Sequence, residues 1–442
     1  MKIYKFLPIA MACTLCVSCT DKQEEVLESQ GKVTFFVPDF EAEVLTDTRM
    51  AVTISADGAA FSWTEGDTLG IFPAEGFQTA FPISGGTGTS IAEFDGGAWA
   101  LRPTMEYAAY YPFQHPMDAI NKNALTFNYT GQKQIGNNQT THLGGYDYLV
   151  APYTPVSANG NTTFMFAHLG ALVRIKLKVP KAGQFTHLSL KSDGAPFVTS
   201  GVVNLTEPSP TLSPTSTDEF VILKLNNIKT TEDNEILTFY MMMAPTNQSD
   251  AHLSVWLSGG IPNNYKGVLS GKSIQAGTIY GFSLEQMEKP IVNGHEYVDL
   301  GLPSGLKWAT CNVGATNPEG YGNYYTWQSA STAASGWGGG WRLPSVSEKD
   351  ELVQNCNYKW TSLNGVMGGL FTSKLNGNSI FLPAAGQSNG SIELGTRGDY
   401  WTSTKSSGSG SASSYFLGFS SGGTSHGVGA PYIYMSVRAV CQ

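Results

Sequence analysis

From residue 32 to 288 a turn signal interrupts the apolar runs about every ten residues, and no stretch there sustains a 3.6-residue period. That punctuation constrains the chain most, because it leaves room for short strands and almost none for long helices. Lys32–Val37 is a strand stopped by Pro38. Met50–Ser55 alternates with period two and ends at Ala56-Asp57-Gly58. Phe61–Trp63 leads through Glu65-Gly66-Asp67 into Thr68–Phe72. Further strands are expected at Tyr107–Tyr111, Tyr148–Ala151, Leu172–Val179, Phe185–Lys191, Phe220–Leu225, Ile236–Met243, Leu253–Leu257 and Ile279–Leu284. Strands spaced in this way pack as β-sandwiches. The polar stretch 156–163 divides them into two units, 32–160 and 161–288.

Composition agrees. The 442 residues include 50 glycines and 12% aromatics but only 14% charged residues, a balance that favours strands and tight turns. The net charge of −9 comes without any Lys/Arg cluster to neutralise phosphates, which argues against a nucleic-acid partner. No apolar run is long enough to span a bilayer.

Residues 1–18 form a signal peptide: Lys2 and Lys5 precede a short apolar run from Phe6 to Val17. Leu15-Cys16-Val17-Ser18-Cys19 resembles a bacterial lipobox, which implies cleavage before Cys19 and lipidation of its thiol. The tether 19–31, acidic through Asp21, Glu24, Glu25 and Glu28, resembles the stretch that sends Bacteroides-type lipoproteins to the outer face of the outer membrane. The plainer reading of that stretch is a solvated spacer.

After a linker at 289–293, the composition shifts. Residues 294–442 hold 25 of the 50 glycines and 6 of the 9 tryptophans. One helix is expected just after Pro344-Ser345, with Ser345 and Glu348 as its capping box and Leu352, Val353 and Cys356 facing a core. Short strands are expected at Tyr297–Leu300, Lys307–Cys311, Tyr324–Trp327, Ser379–Leu382, Tyr400–Thr404, Ser414–Phe419 and Tyr434–Val440.

Several strings carry resemblances. Thr48-Arg49, Trp63–Phe72, Tyr107–Pro112, Phe164–Leu172, Tyr240–Pro245 and Gly277–Phe282 resemble the fimbrillin-like proteins of Bacteroides. That likeness implies two transthyretin-like β-sandwiches in series. Val298–Ala315, Trp341-Arg342-Leu343-Pro344, Asn378–Gly386 and Gly398–Ser403 resemble the Fibrobacter succinogenes major paralogous domain, which implies a C-type-lectin-like fold. The expected architecture is therefore mainly β: two sandwiches followed by an α+β lectin-like domain at 294–442.

Most of the marked residues have structural roles to fill. Trp63 and Phe72 belong in a core and Asp67 closes a turn. His168 is expected as a hydrogen-bonded core histidine, and Met241–Met243 as strand core. Trp308, Trp341 and Trp401 are expected in the core, whereas Trp337, between glycines, is the candidate ligand contact. The stretches Ser329–Trp341 and Lys405–Ser414 are candidate loop surfaces. By lectin-fold analogy Cys356 pairs with Cys441; a Cys311–Cys356 pair is the rival, and the sequence leaves both open. Neither Glu-Pro-Asn nor Gln-Pro-Asp is present, so calcium-dependent sugar binding is unsupported. No cofactor or metal is expected, and no Ser/His/Asp arrangement, P-loop or HExxH points to an enzyme.

Family likeness gives Arg49 a sharper reading. It implies a protease cut after Arg49, with Lys32 a competing site, loss of the first strand Lys32–Asp39, and filling of the groove by a neighbouring subunit's strand. The plainer reading is an exposed, uncut turn residue. With its C-terminus occupied by a globular module, the chain suits the tip of a fimbrium, where a subunit receives a strand and need not donate one. The resulting expectation is a surface adhesin of the outer membrane and fimbrium, partnered by other fimbrial subunits and a host or glycan ligand. The alternative is a monomeric glycan-binding surface lipoprotein.

Overall fold

The computed structural model describes residues 33–37, 41–42, 52–55, 58–115, 120–259, 264–388, 391–406 and 413–442. The signal peptide, Cys19, the acidic tether, Lys32 and Arg49 lie outside the described residues, as does part of the expected Lys405–Ser414 surface. Among the described residues no helix is long and apolar enough to cross a membrane.

Alternating apolar residues build an eight-stranded sheet first. Its order is Thr162–Met165, Val33–Phe36, Ile91–Phe94, Thr79–Gly85, Thr68–Pro73, Glu106–Tyr111, Leu149–Pro155 and Ala167–His168. One face packs Phe35, Trp63, Leu69, Ile71, Phe81, Phe94, Tyr107 and Phe164 into a core. Residues 162–168 lie past the expected division at 160, yet they hydrogen-bond into this first sheet.

The second unit stacks a four-stranded sheet on a five-stranded one. The four-stranded sheet runs Glu235–Met243, Ala171–Val179, Thr278–Leu284, Glu41–Ala42. The five-stranded sheet runs Lys133–Ile135, Phe220–Thr230, Gly183–Ser192, His252–Ser258, Asn264–Ser270. Val173, Ile175, Phe239 and Met241 meet Leu188, Leu223, Val255 and Leu257 in the core between them. The opposite face of the four-stranded sheet is also covered, since Leu172, Tyr240 and Met242 pack with Phe72, Tyr110 and Val150 of the first sheet. A strand buried on both faces needs an unbroken apolar run, which accounts for Met241-Met242-Met243.

The two units are interleaved rather than strung in series. Lys133–Ile135 and Leu125–Asn128, both within the 32–160 stretch, pair with Phe220–Thr230 and Phe197–Val203 of the 161–288 stretch.

The described residues of 291–442 form three small sheets and two helices. The expected helix α2 spans Val346–Asn355, and both halves of its capping box form between Ser345 and Glu348. Arg342 adds a two-pronged ion pair to Glu348 at 2.8 and 2.7 Å. A second helix, α1 (Trp327–Ser335), corrects two expectations: a strand at Tyr324–Trp327 and a loop from Ser329. Thr326 caps it, and Ala330 and Ala334, one turn apart, bury its inner face. The expected strand Tyr434–Val440 contracts to Val440–Cys441. Met435 and Ser436 instead make single bridges to Tyr325 and Tyr400.

The junction at 289–293 is tied down. Lys266 and Glu288 exchange backbone hydrogen bonds of 2.8 and 2.9 Å, and Ile291–Val292 pairs with His295–Asp299. Trp256 of the second unit packs among Tyr297, Trp341 and Trp401 of the C-terminal module. Buried Ser258 donates to Asn378, which in turn donates to the Asp299 carbonyl at 2.7 Å. Gly301 and Gly377 are glycine for two reasons: both have positive φ, and a Cβ would strike Phe220 at 2.8 Å in one case and His187 at 2.8 Å in the other.

Candidate functional site

The site is the seat of the first strand. Val33–Phe36 lies between two neighbours, parallel to Thr162–Met165 (Val33 opposite Thr162, Phe36 opposite Met165) and antiparallel to Ile91–Phe94 (Phe35 opposite Ala92). Phe35 and Val37 point inward and are fully buried. The Phe35 ring stacks on Phe164 at 4.9 Å and 5°, and meets Phe94 edge-on at 5.1 Å. Below them Trp63 makes edge contacts with Phe61, Phe94 and Tyr111 at 5.1, 4.9 and 5.4 Å. The strand's C-terminal end is fixed by Val37 N–H donating to the Ser90 carbonyl at 3.1 Å and Phe166 N–H donating to the Phe36 carbonyl at 2.9 Å. On the outer face Ile91 and Met165, both opposite Phe36, stay 52% and 56% exposed.

Thr162–Met165 is the terminal strand of the sheet and pairs with it through Val33–Phe36. Withdrawing the first strand therefore strips Thr162–Met165 of its ladder, makes Ile91–Phe94 an edge and uncovers Phe94 and Phe164. Past Val37 the same segment reaches the second unit, where Glu41–Ala42 pairs in parallel with Thr278–Ile279. One segment of chain thus completes two sheets. Sequence reasoning found the first strand and missed the second contact, because a two-residue strand carries no periodicity. The period-two spacing of Phe164 and Phe166 was a signal for the Thr162–Met165 neighbour.

The marked residues around this seat have structural roles. Asp67 accepts from Thr64 N–H at 2.7 Å, closing its turn, and from the Tyr111 hydroxyl at 2.8 Å. Burial, reinforced by Asp67, pushes the Tyr111 hydroxyl well above its usual range. His168 Nδ1 lies 2.8 Å from Asp147 Oδ1 with both side chains buried, as expected of a core histidine.

In the C-terminal module Trp308, Trp341 and Trp401 are buried in the core. Trp337, the candidate ligand contact, is half-buried: His295 covers one face of its indole at 3.7 Å and 5°, and Trp341 meets it edge-on at 5.5 Å. Neither expected disulfide forms; Cys311, Cys356 and Cys441 are free thiols. Cys356 packs with Leu352 and Phe371, whereas Cys441 sits in the neighbouring core with Trp341 and Trp401, so the two belong to different clusters. Burial raises all three thiols, Cys356 to about 12, which keeps them protonated and poor nucleophiles. Among the described residues no group of three His, Cys, Asp or Glu side chains could hold a metal ion.

Comparison with known proteins adds a family. No curated protein matches the chain. Among solved structures, a candidate cell adhesion protein from Bacteroides ovatus is 16% identical, with 58% of this chain and 92% of that chain covered and a TM-score of 0.39. Another from Bacteroides uniformis is 15% identical, covering 59% and 96%, with a TM-score of 0.36. A fimbrial protein from Bacteroides ovatus is 11% identical, covering 92% and 98%, with a TM-score of 0.28. The fimbrillin-like family model matches residues 46–295, more than half of the sequence, and the chain belongs to the fimbrillin-like family.

Proposed function

We propose that this chain is a fimbrial subunit and adhesin of the cell surface, assembled by strand exchange, in which the first strand is a placeholder. It is secreted behind the 1–18 signal and lipidated at Cys19 on the outer membrane. A cut after Arg49 then releases the Val33–Phe36 and Glu41–Ala42 segment. A neighbouring subunit's extended segment takes the vacated place, and the lectin-like module at 294–442 sits at the tip above two transthyretin-like sandwiches.

One observation carries the reading: Val33–Phe36 lies inside the sheet between two strands, so its loss leaves a groove with unpaired backbone on both walls. Backbone ladders accept any extended partner, with the Phe35 and Val37 pockets setting the side-chain pattern. The same cut frees the edge of Thr278–Leu284, so an incoming strand gains a second docking edge.

Treating the full chain with an arginine-specific protease and reading masses tests this. The expected result is one early cut after Arg49, abolished in Arg49→Ala and retained in Lys32→Ala. The cut protein should then take up a peptide spanning residues 32–42. A chain that stays uncut at Arg49, or that is cut yet takes up no strand, rejects the reading.

A further inference from the structure

We propose that a cleft at one end of the first sheet is a carbohydrate site, in which Phe77 and Trp99 stack on a pyranose ring and Glu75 and Arg102 bind its hydroxyls. The cleft encloses about 570 Å³ between the turn that joins Thr68–Pro73 to Thr79–Gly85 and the Gly97–Trp99 turn. That size suits one or two sugar rings. Phe77 and Trp99 are 70% and 71% exposed, and Met105 beside them is 37% exposed.

Both aromatic side chains stand on walls that are held in place. Gln78, buried behind Phe77, donates to the Gln114 carbonyl at 2.8 Å and accepts from the Tyr110 hydroxyl. Tyr153 donates to the Pro73 carbonyl at 3.0 Å, and Lys122 donates to that of Ala74. On the other wall the Phe81 ring lies against Gly96 where a Cβ would be, 2.5 Å from its nearest carbon, and Asp95 accepts from Gly97 N–H at 2.8 Å. Tyr107 accepts from Arg102 N–H at 3.0 Å, and Thr104 is held at φ +66° by its 2.9 Å bond to the Val156 carbonyl. A non-glycine residue in that region is strained, and such strain collects at binding sites. Walls fixed in this way lower the ordering cost of binding.

The occupant follows from what the cleft lacks as well as from what it offers. Thr68–Pro73, Thr79–Gly85 and Glu106–Tyr111 each have a strand on both sides, so no free backbone edge is available to an added peptide strand. A ligand that needs two aromatic faces together with an exposed carboxylate and guanidinium presents an apolar face beside many hydroxyls, which describes a sugar ring. Glu75 and Arg102 give the lining one charge of each sign, and the proposal commits to a neutral sugar. The proposal is independent of strand exchange.

Screening the full chain on an array of neutral and acidic oligosaccharides, then titrating the best-bound sugar, tests it. The expected hit is a neutral hexose-containing oligosaccharide whose Kd rises at least tenfold in Trp99→Ala and in Phe77→Ala. Trp99→Phe should recover most of the affinity, and Trp337→Ala should leave it unchanged. Both changed side chains are largely exposed, and an unaltered melting temperature checks that the fold is kept. An array without a bound sugar, a preference for acidic sugars, or binding that survives Trp99→Ala overturns the assignment.

Discussion

The seat of the first strand and the seam beneath the C-terminal module hold chain segments together by different means. Val33–Phe36 is fixed by a backbone ladder on both sides plus two buried side chains, Phe35 and Val37. The seam is fixed by particular side chains: Trp256 among Tyr297, Trp341 and Trp401, and the Ser258–Asn378–Asp299 chain of hydrogen bonds. A ladder reads backbone and tolerates any strand with the right alternation, whereas a network of buried amides accepts only the residues it was built from. The first strand is therefore held by contacts that another strand of like pattern would satisfy, and the C-terminal module by contacts that depend on particular side chains. The proposed strand exchange would use both, the first to admit a neighbour and the second to keep the C-terminal module attached.

The largest expected effect breaks the seat of the first strand. Phe35→Ala removes the ring stacked on Phe164 and edge-on to Phe94, and should cost about 3–5 kcal/mol. Hydrogen exchange should accelerate in Ile91–Phe94 and Thr162–Met165 and stay slow in Ser379–Pro383. Equal acceleration in both regions would show that the two regions unfold as one unit. On the fixed side, Asn378→Ala leaves the Ser258 hydroxyl and the Asp299 carbonyl without this partner, at about 1–3 kcal/mol. Calorimetry should then resolve two transitions where the unaltered chain gives one. Ser345→Ala removes the cap of α2, well away from the first strand, and should cost about 1 kcal/mol, with Ser345→Asp restoring most of it. If the proposed cut at Arg49 occurs, its rate should be unchanged in both Ser345 variants.

Legibility in the sequence followed the range of each interaction. The Asp67 turn and the Ser345–Glu348 box depend on residues within a few positions and could be read directly; Trp63 could be read as a core residue from its type alone, although its partners Phe94 and Tyr111 are distant in sequence. Helix α1 was hidden because Ser-Ala-Ser-Thr-Ala-Ala-Ser has only small residues, so burial of Ala330 and Ala334 leaves little trace in a hydrophobic pattern. Strand partners were beyond reach. Nothing local in Lys133–Ile135 says that it pairs 91 positions away with Lys224–Asn226, since pairing depends on edges supplied by the rest of the fold. Cys356 and Cys441 illustrate the limit of fold analogy: it suggested a pair, and the packing places them in separate clusters. Phe77 and Trp99 gave no signal, because a pattern of alternation cannot tell a buried aromatic residue from one held outward by a pinned turn.

The smallest effect, a shift with pH, separates the two regions without any mutation. His187 has its pKa lowered by burial and then by Lys224; His142 has its pKa lowered by burial, partly offset by its bond to the Tyr240 carbonyl. A histidine held below its unfolded value takes up its proton more readily in the unfolded chain, so its contribution is present above about pH 6.5 and is lost as pH falls through that value toward the folded pKa. His187 packs on Gly377 in the seam, whereas the ring partners of Phe35 among the described residues are Phe94, Phe164 and Phe166. Acidification from pH 7.5 to 5.5 should therefore lower the melting temperature by loosening the seam, and His187→Gln should remove part of that dependence. Exchange rates in Ile91–Phe94, corrected for the intrinsic effect of pH, should hold steady over the same range. If they rise in step with those at the seam, the first sheet and the seam share one opening reaction, and the first strand could not be withdrawn while the rest of the molecule stays folded.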